Sequence, residues 1–349
     1  MSVNNSDNKM LADIYEIKER LGKRLLILTH HYQTDQIVSL GNFAGDSFDL
    51  SQKAAFDKKA EFIIFCGVHF MAESAAILSA SNQSVQIPDI SAGCPMADMA
   101  DIRSVKKAFF QLESIAGTGT ATPIVYMNSS ALIKAFCGRN KGLVCTSSNA
   151  DKAFEYAFKR REKIFFFPDE HLGKNTADKL CIASELVILW DCSRKLGGNK
   201  AEDIKKAKVI VWKGYCPIHL DFTTSQILKV RQEFSDAKIV VHPECPREVV
   251  KISDAAGSTA YIIDYVKNAA KNAAIFIGTE INLIKRLAWQ YPDKKIIPLY
   301  VSSCKDMFKI NLKNLIKTLK KPGEYNLVTI PDEVKKDAKK ALDRMLTLA

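Results

Sequence analysis

The chain has 349 residues, and its 50 Lys and Arg exceed its 39 Asp and Glu by a formal net charge of +11. Apolar residues make up 47% of the chain and charged residues 26%, which excludes an intrinsically disordered protein and allows a large core. No run approaches the roughly 18 apolar residues of a membrane helix, and the first ten residues lack the apolar segment of a signal peptide. We therefore expect a cytoplasmic protein, and the length predicts two to three domains.

Charge indicates which kinds of substrate or partner the protein can bind, and the cysteine content indicates the chemistry of its thiols. The acidic residues are interleaved with the basic ones and no block of five or six like charges occurs, so an anionic small-molecule substrate fits the charge as well as a nucleic acid does. The nine cysteines are an odd number in a chain without an export signal. Reduced thiols or metal ligands are therefore favoured over a disulfide framework.

Short apolar runs recur along the chain and predict the strands of buried parallel sheets. In chain order these runs are Leu25–Leu28, Phe62–Phe65, Ile124–Tyr126, Leu143–Val144, Ile164–Phe167, Val209–Trp212, Ile239–Val241, Ala274–Ile277 and Ile296–Leu299. Helical patterns lie between them. Leu11–Leu21 has one apolar face and is followed by Gly22, which can close a helix, and Pro331–Leu348 is also amphipathic. This alternation predicts an α/β fold.

An internal repeat organises these elements. Each unit begins with a strand that ends in polar residues, continues with a hydroxyl-bearing segment that opens a helix, and closes on a cysteine. The three units begin with the strands Leu25–Leu28, Ile124–Tyr126 and Ile239–Val241 and close on Cys94, Cys216 and Cys304. Because ligands of parallel α/β folds bind at the carboxyl ends of strands, three units around a pseudo-threefold axis would direct their polar ends at one central cavity.

Three of the nine cysteines share a local context. Cys94, Cys216 and Cys304 each follow a turn that contains Gly or Ser, and a predicted helix start comes next; Pro95 and Pro217 suit the first helical position. A thiolate at a helix N-terminus is stabilised by the helix dipole and by free amide groups. Three thiolates from distant segments suit an iron–sulfur cluster or a metal ion, although the C-x-x-C spacing of zinc ribbons is missing. The alternative is that all three are small buried apolar side chains.

The other six cysteines are expected to be structural, with two exceptions. Cys66 lies inside an apolar strand, and no pattern supports Cys137, Cys181 or Cys192. The first exception is Cys145, which ends a strand and can line the cavity. The second is Cys245, which follows Glu244, and spacing alone leaves a ligand role for it open.

Candidate acid–base residues lie at the predicted strand ends or beside a closing cysteine, and they are His30, His31, Tyr32, Tyr126, His219, His242 and Glu244. His and Glu can transfer protons near neutral pH, and Tyr can donate to a developing oxyanion. Hydroxyl groups near the predicted helix starts belong to Ser47, Ser147, Ser148, Ser258 and Thr259. They suit ordinary N-caps and also an anion site for phosphate or carboxylate.

Taken in order, these motifs resemble those of the quinolinate synthase family, iron–sulfur enzymes of pyridine-nucleotide biosynthesis, from about Leu25 to Met345. The matching stretches are His30–Gln33, Gly45–Ser47, Phe65–Val68, Phe70–Glu73, Pro88–Asp89, Ala92–Cys94, Tyr126, Asn128, Cys145–Ala150, Gly214–Cys216, His219, His242–Pro246, Gly257–Thr259 and Gly278–Glu280. The resemblance implies three similar αβα domains with parallel sheets around a pseudo-threefold axis and an active site at their central interface.

The domain boundaries expected from the repeat and the resemblance are as follows: 1–105 for the first domain, 106–216 for the second, 217–304 for the third and 305–349 for a C-terminal segment. The helix predicted over residues 331–348 is expected to pack on the first domain.

The resemblance further implies a [4Fe-4S] cluster held by Cys94, Cys216 and Cys304, with the fourth iron open to substrate as a Lewis acid, which argues against Cys245 as a ligand. The implied reaction condenses iminoaspartate with dihydroxyacetone phosphate to quinolinate, phosphate and water, in de novo NAD biosynthesis. The implied catalytic residues are Tyr32, Tyr126, His242 and Glu244. The implied substrate-binding residues are His30, Ser47, Tyr126, Asn128, Ser147, His242, Glu244, Ser258 and Thr259. His219, beside a ligand cysteine, is a less certain member.

The implied upstream partner is L-aspartate oxidase or aspartate dehydrogenase, with no nucleic acid and no membrane, and the oligomeric state stays open, a homodimer included. Two other functions compete with this interpretation. One is a cluster-containing hydro-lyase that acts on another hydroxy-acid. The other is a non-catalytic iron–sulfur or nucleic-acid-binding sensor, which predicts a basic groove with exposed aromatic residues.

Overall fold

The computed structural model describes residues 5–348, so the outer limits of the predicted domains, residues 1 and 349, lie outside the described residues. Within residues 5–348 the strands form three sheets, and every strand pairing within a sheet is parallel. The first sheet contains β1 (Leu25–His30), β2 (Phe43–Gly45), β3 (Phe62–Cys66) and β4 (Ser84–Gln86). The second contains β5 (Ala121–Tyr126), β6 (Leu143–Cys145), β7 (Lys163–Phe167), β8 (Val187–Trp190) and β9 (Val209–Trp212). The third contains β10 (Lys238–Val241), β11 (Ala255–Ala256), β12 (Ala274–Gly278) and β13 (Lys295–Pro298).

Helices connect these strands along the chain. Those that precede or accompany the first sheet are α1 (Asn5–Leu21), α2 (Asp35–Val38), α3 (Ser47–Phe56) and α4 (His69–Leu78). Those from there to β9 are α5 (Pro95–Asp98), α6 (Ile102–Ala116), α7 (Ala131–Arg139), α8 (Ala150–Phe158), α9 (Glu170–Lys179) and α10 (Ala201–Lys206). The rest are α11 (Pro217–Leu220), α12 (Thr224–Glu233), α13 (Arg247–Ile252), α14 (Thr259–Asn268), α15 (Ile281–Gln290), α16 (Leu312–Leu319) and α17 (Asp332–Leu346). The α/β prediction is confirmed, and three parallel sheets with helices are consistent with three αβα domains.

The internal repeat is visible in the strand order. The first and third sheets have the orders β2-β1-β3-β4 and β11-β10-β12-β13, and the second has β6-β5-β7-β9 with β8 added at the edge. The opening strand of each unit pairs with the following strand near its carboxyl end, through His30 and Gly45, Tyr126 and Cys145, and Val241 and Ala256. Each sheet therefore brings the polar residues after its opening strand next to the hydroxyl segment after the following strand, as the repeat predicts.

Nine strands were predicted from apolar runs, and each coincides with an observed strand. Four others were missed: β2, β4, β8 and β11, all at sheet edges and two to four residues long. An edge strand has a neighbour on one side only and is less buried, so its sequence carries a weaker apolar signal. The predicted helix over Leu11–Leu21 is also present and begins earlier, at Asn5, and Gly22 follows it with a φ of +52°.

The core is made by side chains on both faces of these parallel sheets. In the second sheet, Phe165 is fully buried and its ring lies 5.1 Å from that of Phe167 and 6.2 Å from those of Trp190 and Trp212. At the third sheet, Val241 of β10 and Phe222, which precedes α12, are fully buried members of one apolar cluster. Rigid, closely packed strands of this kind fix the positions at which their carboxyl ends present side chains.

The chain divides into two compact units. Among the described residues, the first comprises 5–94 and 304–331 and contains the first sheet; the second comprises 95–303 and 332–348 and contains the other two sheets. In the first unit, α16 packs against α1. The chain passes from one unit to the other directly after Cys94 and directly before Cys304. The finer domain boundaries given above stay predictions.

The C-terminal helix α17 belongs to the second unit, where it packs on α7 and β6. The expectation that it packs on the first domain is therefore wrong. A close approach explains its true position, because a Cβ atom on Gly138 of α7 would lie 1.8 Å from the carbonyl oxygen of Asp337. Arg139 also forms an ion pair with Asp337 at 3.0 Å. An amphipathic helix packs on the surface that complements it, and its own sequence pattern does not name that surface.

Candidate active site

Glu244 is the centre of a buried polar cluster in the second unit. Its Oε1 accepts a hydrogen bond of 2.5 Å from the hydroxyl of Tyr126, and its Oε2 lies 2.7 Å from Nδ1 of His219 and 3.9 Å from Nδ1 of His242. The two imidazole rings stack with their centroids 4.5 Å apart. All four side chains are at least 94% buried. A charged carboxylate at such depth requires partners of this kind, because burial without them costs several kcal/mol.

The second and third repeats of the chain both lie in the second compact unit, and they place the cluster at strand ends. Tyr126 is the last residue of β5, and His242 and Glu244 directly follow β10. His219 lies in the short helix α11, and its Nε2 lies 3.2 Å from the hydroxyl of Thr279, which directly follows β12. The rule that functional side chains gather at the carboxyl ends of parallel strands thus accounts for the location.

The protonation states follow from burial and from neighbouring charges. Burial lowers the pKa of His242 to about 3, so this imidazole is neutral at pH 7. Burial alone would raise the pKa of Glu244, but the imidazoles of His219 and His242 and the hydrogen bonds from His219 and Tyr126 lower it to about 2. The site therefore contains an ionised carboxylate beside a neutral, proton-accepting imidazole.

Hydroxyl groups surround helix starts in the same unit. Ser258 is the N-cap of α14 and accepts a hydrogen bond from the amide of Tyr261, and the neighbouring Thr259 is also buried. Ser147 lies half-buried in the turn after β6. Asn128, two residues beyond β5, has an Oδ1 atom that is buried and has no hydrogen-bond partner among the described residues. Such a buried acceptor is available to a ligand.

The first compact unit contains further residues that were predicted to belong to the active site. His30 ends β1 and is buried, and its Nδ1 accepts a hydrogen bond of 3.1 Å from the amide of Tyr32. The ring of Tyr32 meets that of His30 edge-on at 4.8 Å. Ser47 is the first residue of α3, and the N-cap is Asp46 instead, whose side chain accepts from the amides of Phe48 and Asp49. The hydroxyl of Ser47 is therefore not used as the cap.

The nine cysteines differ in exposure, and Cys181 and Cys192, which were expected to be structural, are exposed. The half-buried ones are Cys94, Cys216 and Cys304, whereas Cys66, Cys137, Cys145 and Cys245 are buried and Cys181 and Cys192 are exposed. Burial raises the pKa of the Cys66 thiol to about 12 and raises those of the other buried cysteines as well. Cys245 also lies in the apolar cluster of the third sheet. These properties favour packing for the buried four.

The helix starts expected after the three half-buried cysteines are present in part. Pro95 opens α5 and Pro217 opens α11, but each helix has only four residues, and Cys304 is followed by a turn and a single 3-10 turn over Met307–Lys309. Ligand atoms of Cys216, His219 and Glu244 lie within 4.8 Å of one another, a spacing that can hold a metal ion. The donor chemistry of half-buried thiols fits an iron–sulfur cluster, whose usual ligands are cysteine thiolates.

Sequence reasoning missed two buried residues near Glu244. Asp169, the N-cap of α9, is fully buried; burial and then the charge of Glu244 raise its pKa far above the usual range of a carboxyl group. Asn175 of the same helix donates to the carbonyl oxygens of Pro243 and Cys245. Neither residue lies at the start or the end of a repeat unit. The stretch from Asp169 to Asn175 contains no motif apart from an Asp of the kind that caps a helix.

The sequence profile of the quinolinate synthetase A protein family matches residues 12–347. A quinolinate synthase from Geobacillus sp. (strain WCH70) is 47% identical over 349 residues, covering 99% of this chain and 95% of the relative. Relatives of the same name from Bacillus cereus (strain G9842) and Corynebacterium glutamicum (strain ATCC 13032) are 45% and 43% identical, covering 98% of this chain in both cases and 94% and 88% of the relatives.

The chain belongs to the quinolinate synthase family. The resemblance stated from the motifs is confirmed, and with it the prediction that the chain is an enzyme of this family. Among the described residues, no helix is both long enough and apolar enough to cross a membrane.

Proposed function

We propose that this chain condenses iminoaspartate with dihydroxyacetone phosphate to give quinolinate, phosphate and two molecules of water, as a step of NAD biosynthesis. The observation that carries this proposal is the buried cluster in which Glu244 contacts both Tyr126 and His219 beside the neutral His242. Closing an aromatic ring from two acyclic precursors requires the removal of several protons and the loss of phosphate and water. A carboxylate, an imidazole and a phenol at one site can carry out such proton transfers.

Within the cluster, the protonation states suggest distinct roles. His242 is neutral at pH 7 because burial lowers its pKa, which makes it a weak base in the free enzyme; it would accept a proton where the charge of Glu244 stabilises the imidazolium that forms. Glu244 stays ionised and stabilises the positive charge that develops on either neighbouring imidazole. Tyr126 donates to Glu244 in the free enzyme and can donate to a developing oxyanion when substrate is bound. Tyr32 is proposed to orient the three-carbon substrate.

Both substrates are anions, and the hydroxyl-bearing helix starts suit them. The N-terminus of α14, with Ser258 and Thr259, offers hydroxyl and amide groups to a phosphate or carboxylate. We assign Ser47, Ser147, Asn128 and His30 to the same substrate-binding set. The net charge of +11 further favours the encounter with anionic metabolites.

The proposed cofactor is a [4Fe-4S] cluster held by Cys94, Cys216 and Cys304. With three protein ligands, such a cluster has one iron available to polarise a substrate hydroxyl or carboxylate as a Lewis acid. Cys245 is excluded from the ligand set in this proposal because its thiol is buried and its Sγ contacts the carbonyl oxygen of Gly278 at 3.8 Å. We also propose a cytoplasmic location, with L-aspartate oxidase or aspartate dehydrogenase as the source of iminoaspartate.

The direct test is quinolinate synthesis by protein that is purified and reconstituted with iron and sulfide under anaerobic conditions. Iminoaspartate is generated in the assay from aspartate, dihydroxyacetone phosphate is added, and quinolinate and phosphate are quantified by chromatography. We expect the two products in equal amounts, and none when either substrate is omitted. Protein that carries a four-iron cluster yet makes no quinolinate would overturn the proposal and favour a hydro-lyase or sensor function.

A further inference from the structure

Helix α9 is hydrogen-bonded to the loop that carries Glu244. The side chain of Asn175 is 92% buried, and its Nδ2 donates 2.8 Å to the carbonyl oxygen of Pro243 and 2.9 Å to that of Cys245. These two carbonyl groups belong to the residues on either side of Glu244. An amide with two N–H donors suits two carbonyl acceptors, and neither a carboxylate nor an alkyl group can replace it.

Other hydrogen bonds also support this loop, because the amide of His242 donates to the carbonyl oxygen of Gly278 at 3.0 Å and Sγ of Cys245 lies 3.8 Å from the same oxygen. Within it, the amide of Cys245 donates to the carbonyl oxygen of His242 at 3.0 Å, and the amide of Glu244 makes a weaker contact of 3.4 Å with Nδ1 of His242. The helix that supplies Asn175 is itself tied to the end of the second sheet, because the amide of its first residue, Glu170, donates to the carbonyl oxygen of Gly214 at 2.8 Å. The position of Glu244 is thereby tied to α9.

We infer that Asn175 is a positioning residue for the reaction: by binding the backbone on both sides of Glu244, it holds that carboxylate against Tyr126 and His219. This inference rests on the proposed function of Glu244. A carboxylate that must contact two partners at 2.5 and 2.7 Å tolerates little displacement of its backbone. A misplacement of about 1 Å in an active site can cost about 10²-fold in rate.

The structure offers a matched control on the same helix. Asp178, one turn further along α9, forms an ion pair and hydrogen bonds with Arg247, which lies beyond the same loop. Both partners are about one quarter exposed, and in the part of the chain that the structure describes neither forms a hydrogen bond or ion pair with Glu244. Removing the Asp178 charge therefore weakens the packing of α9 on this region without releasing the two carbonyl groups beside Glu244.

The test compares Asn175→Ala and Asn175→Asp with Asp178→Asn, all reconstituted and assayed like the parent protein. We expect both Asn175 variants to lose about 10²-fold in kcat with a much smaller change in KM, since substrate contacts remain while the carboxylate is misplaced. Asp178→Asn should retain kcat even where its melting temperature falls. Hydrogen exchange, read by mass spectrometry, should show faster exchange of the Glu244 and Cys245 amides in the Asn175 variants alone.

The outcomes separate this inference from the proposed function. If the parent protein makes no quinolinate, the proposed function fails, and the exchange measurement still decides whether Asn175 holds the loop. If the parent is active and the Asn175 variants keep kcat within the range of Asp178→Asn, the positioning role is wrong. Equal losses of kcat in all three variants would reduce Asn175 to a purely structural residue and would overturn the inference as well.

Discussion

At the scale of single residues, the site is defined by two buried groups whose pKa values fall for different reasons. His242 loses affinity for its proton because burial disfavours the charged imidazole, whereas Glu244 overcomes the opposite effect of burial through the imidazoles and the tyrosine hydroxyl around it. The result is a base and an anion side by side at neutral pH. Sequence reasoning selected both residues from their place at a strand end, but the direction of each pKa shift depends on burial and on partners distant in sequence.

The buried His242 predicts a pH dependence of folding stability. Its pKa is about 3 in the folded protein and near 6.5 when unfolded, so the unfolded chain binds the extra proton between these values. Stability should therefore fall as the pH drops below 6.5, by up to about 1.4 kcal/mol per pH unit from this residue. Urea unfolding of the parent and of His242→Asn between pH 7 and 5 measures the effect, and the variant should show the smaller slope.

A control for this experiment is His69→Asn, which removes a half-exposed imidazole from α4 in the first unit. The control should keep the slope of the parent. Equal slopes for the parent and His242→Asn would show that the buried imidazole does not govern the loss of stability in acid.

At the scale of elements, the apolar runs located the inner strands, and the amphipathic patterns located the first and last helices. What they could not supply was the partner of each element. Helix α17 shows this most clearly, since it is amphipathic as predicted and buries Ala338, Leu342 and Met345, whereas the partner expected for it was wrong. Its true partner, α7, offers a glycine at the crossing point, and a single glycine within a helix does not identify the helix that approaches it.

Gly138→Ala tests this helix contact. Alanine gains about 1 kcal/mol over glycine in an isolated helix. Here its Cβ would lie 1.8 Å from the carbonyl oxygen of Asp337, so α17 must move, and overpacking costs about 1–3 kcal/mol. We expect a net loss of stability and a melting temperature lower by a few degrees, measured by circular dichroism.

Arg139→Ala is the matched control on the same helix, since it removes only a surface ion pair with Asp337 and should change stability by less than about 1 kcal/mol. A Gly138→Ala protein as stable as the parent would contradict the close packing of α7 and α17.

At the scale of the whole molecule, the repeat unites the fold and the proposed cofactor. The three sheets share one order of four strands, and β4, β9 and β13 stand at its fourth position. Each of the three half-buried cysteines follows one of these strands in the chain. In the proposed function, equivalent positions in three copies of one supersecondary pattern would supply three equivalent cluster ligands. The excess of 11 positive charges is a property of the entire chain, and no single site accounts for it.

This arrangement predicts the effect of removing individual cysteines. Cys94→Ala, Cys216→Ala and Cys304→Ala should each lose the visible absorbance and most of the iron and sulfide after anaerobic reconstitution. Loading should raise the melting temperature of the parent, because a group that binds only the folded state stabilises it. Cys66→Ala and Cys245→Ala serve as controls and should keep their iron. A Cys245→Ala protein that loses its iron would overturn the proposed ligand set.

The sequence by itself determined the fold class, the repeat, the inner strands and the family, because these depend on local apolar patterns and on ordered motifs along the chain. Only the tertiary structure revealed that Glu244 contacts Tyr126 and His219, that Asn175 holds the flanking carbonyl groups, and that α17 packs on α7. Contacts of this kind join residues tens to about two hundred positions apart. They arise from the packing of preformed elements, and no local pattern in the chain encodes which elements will meet.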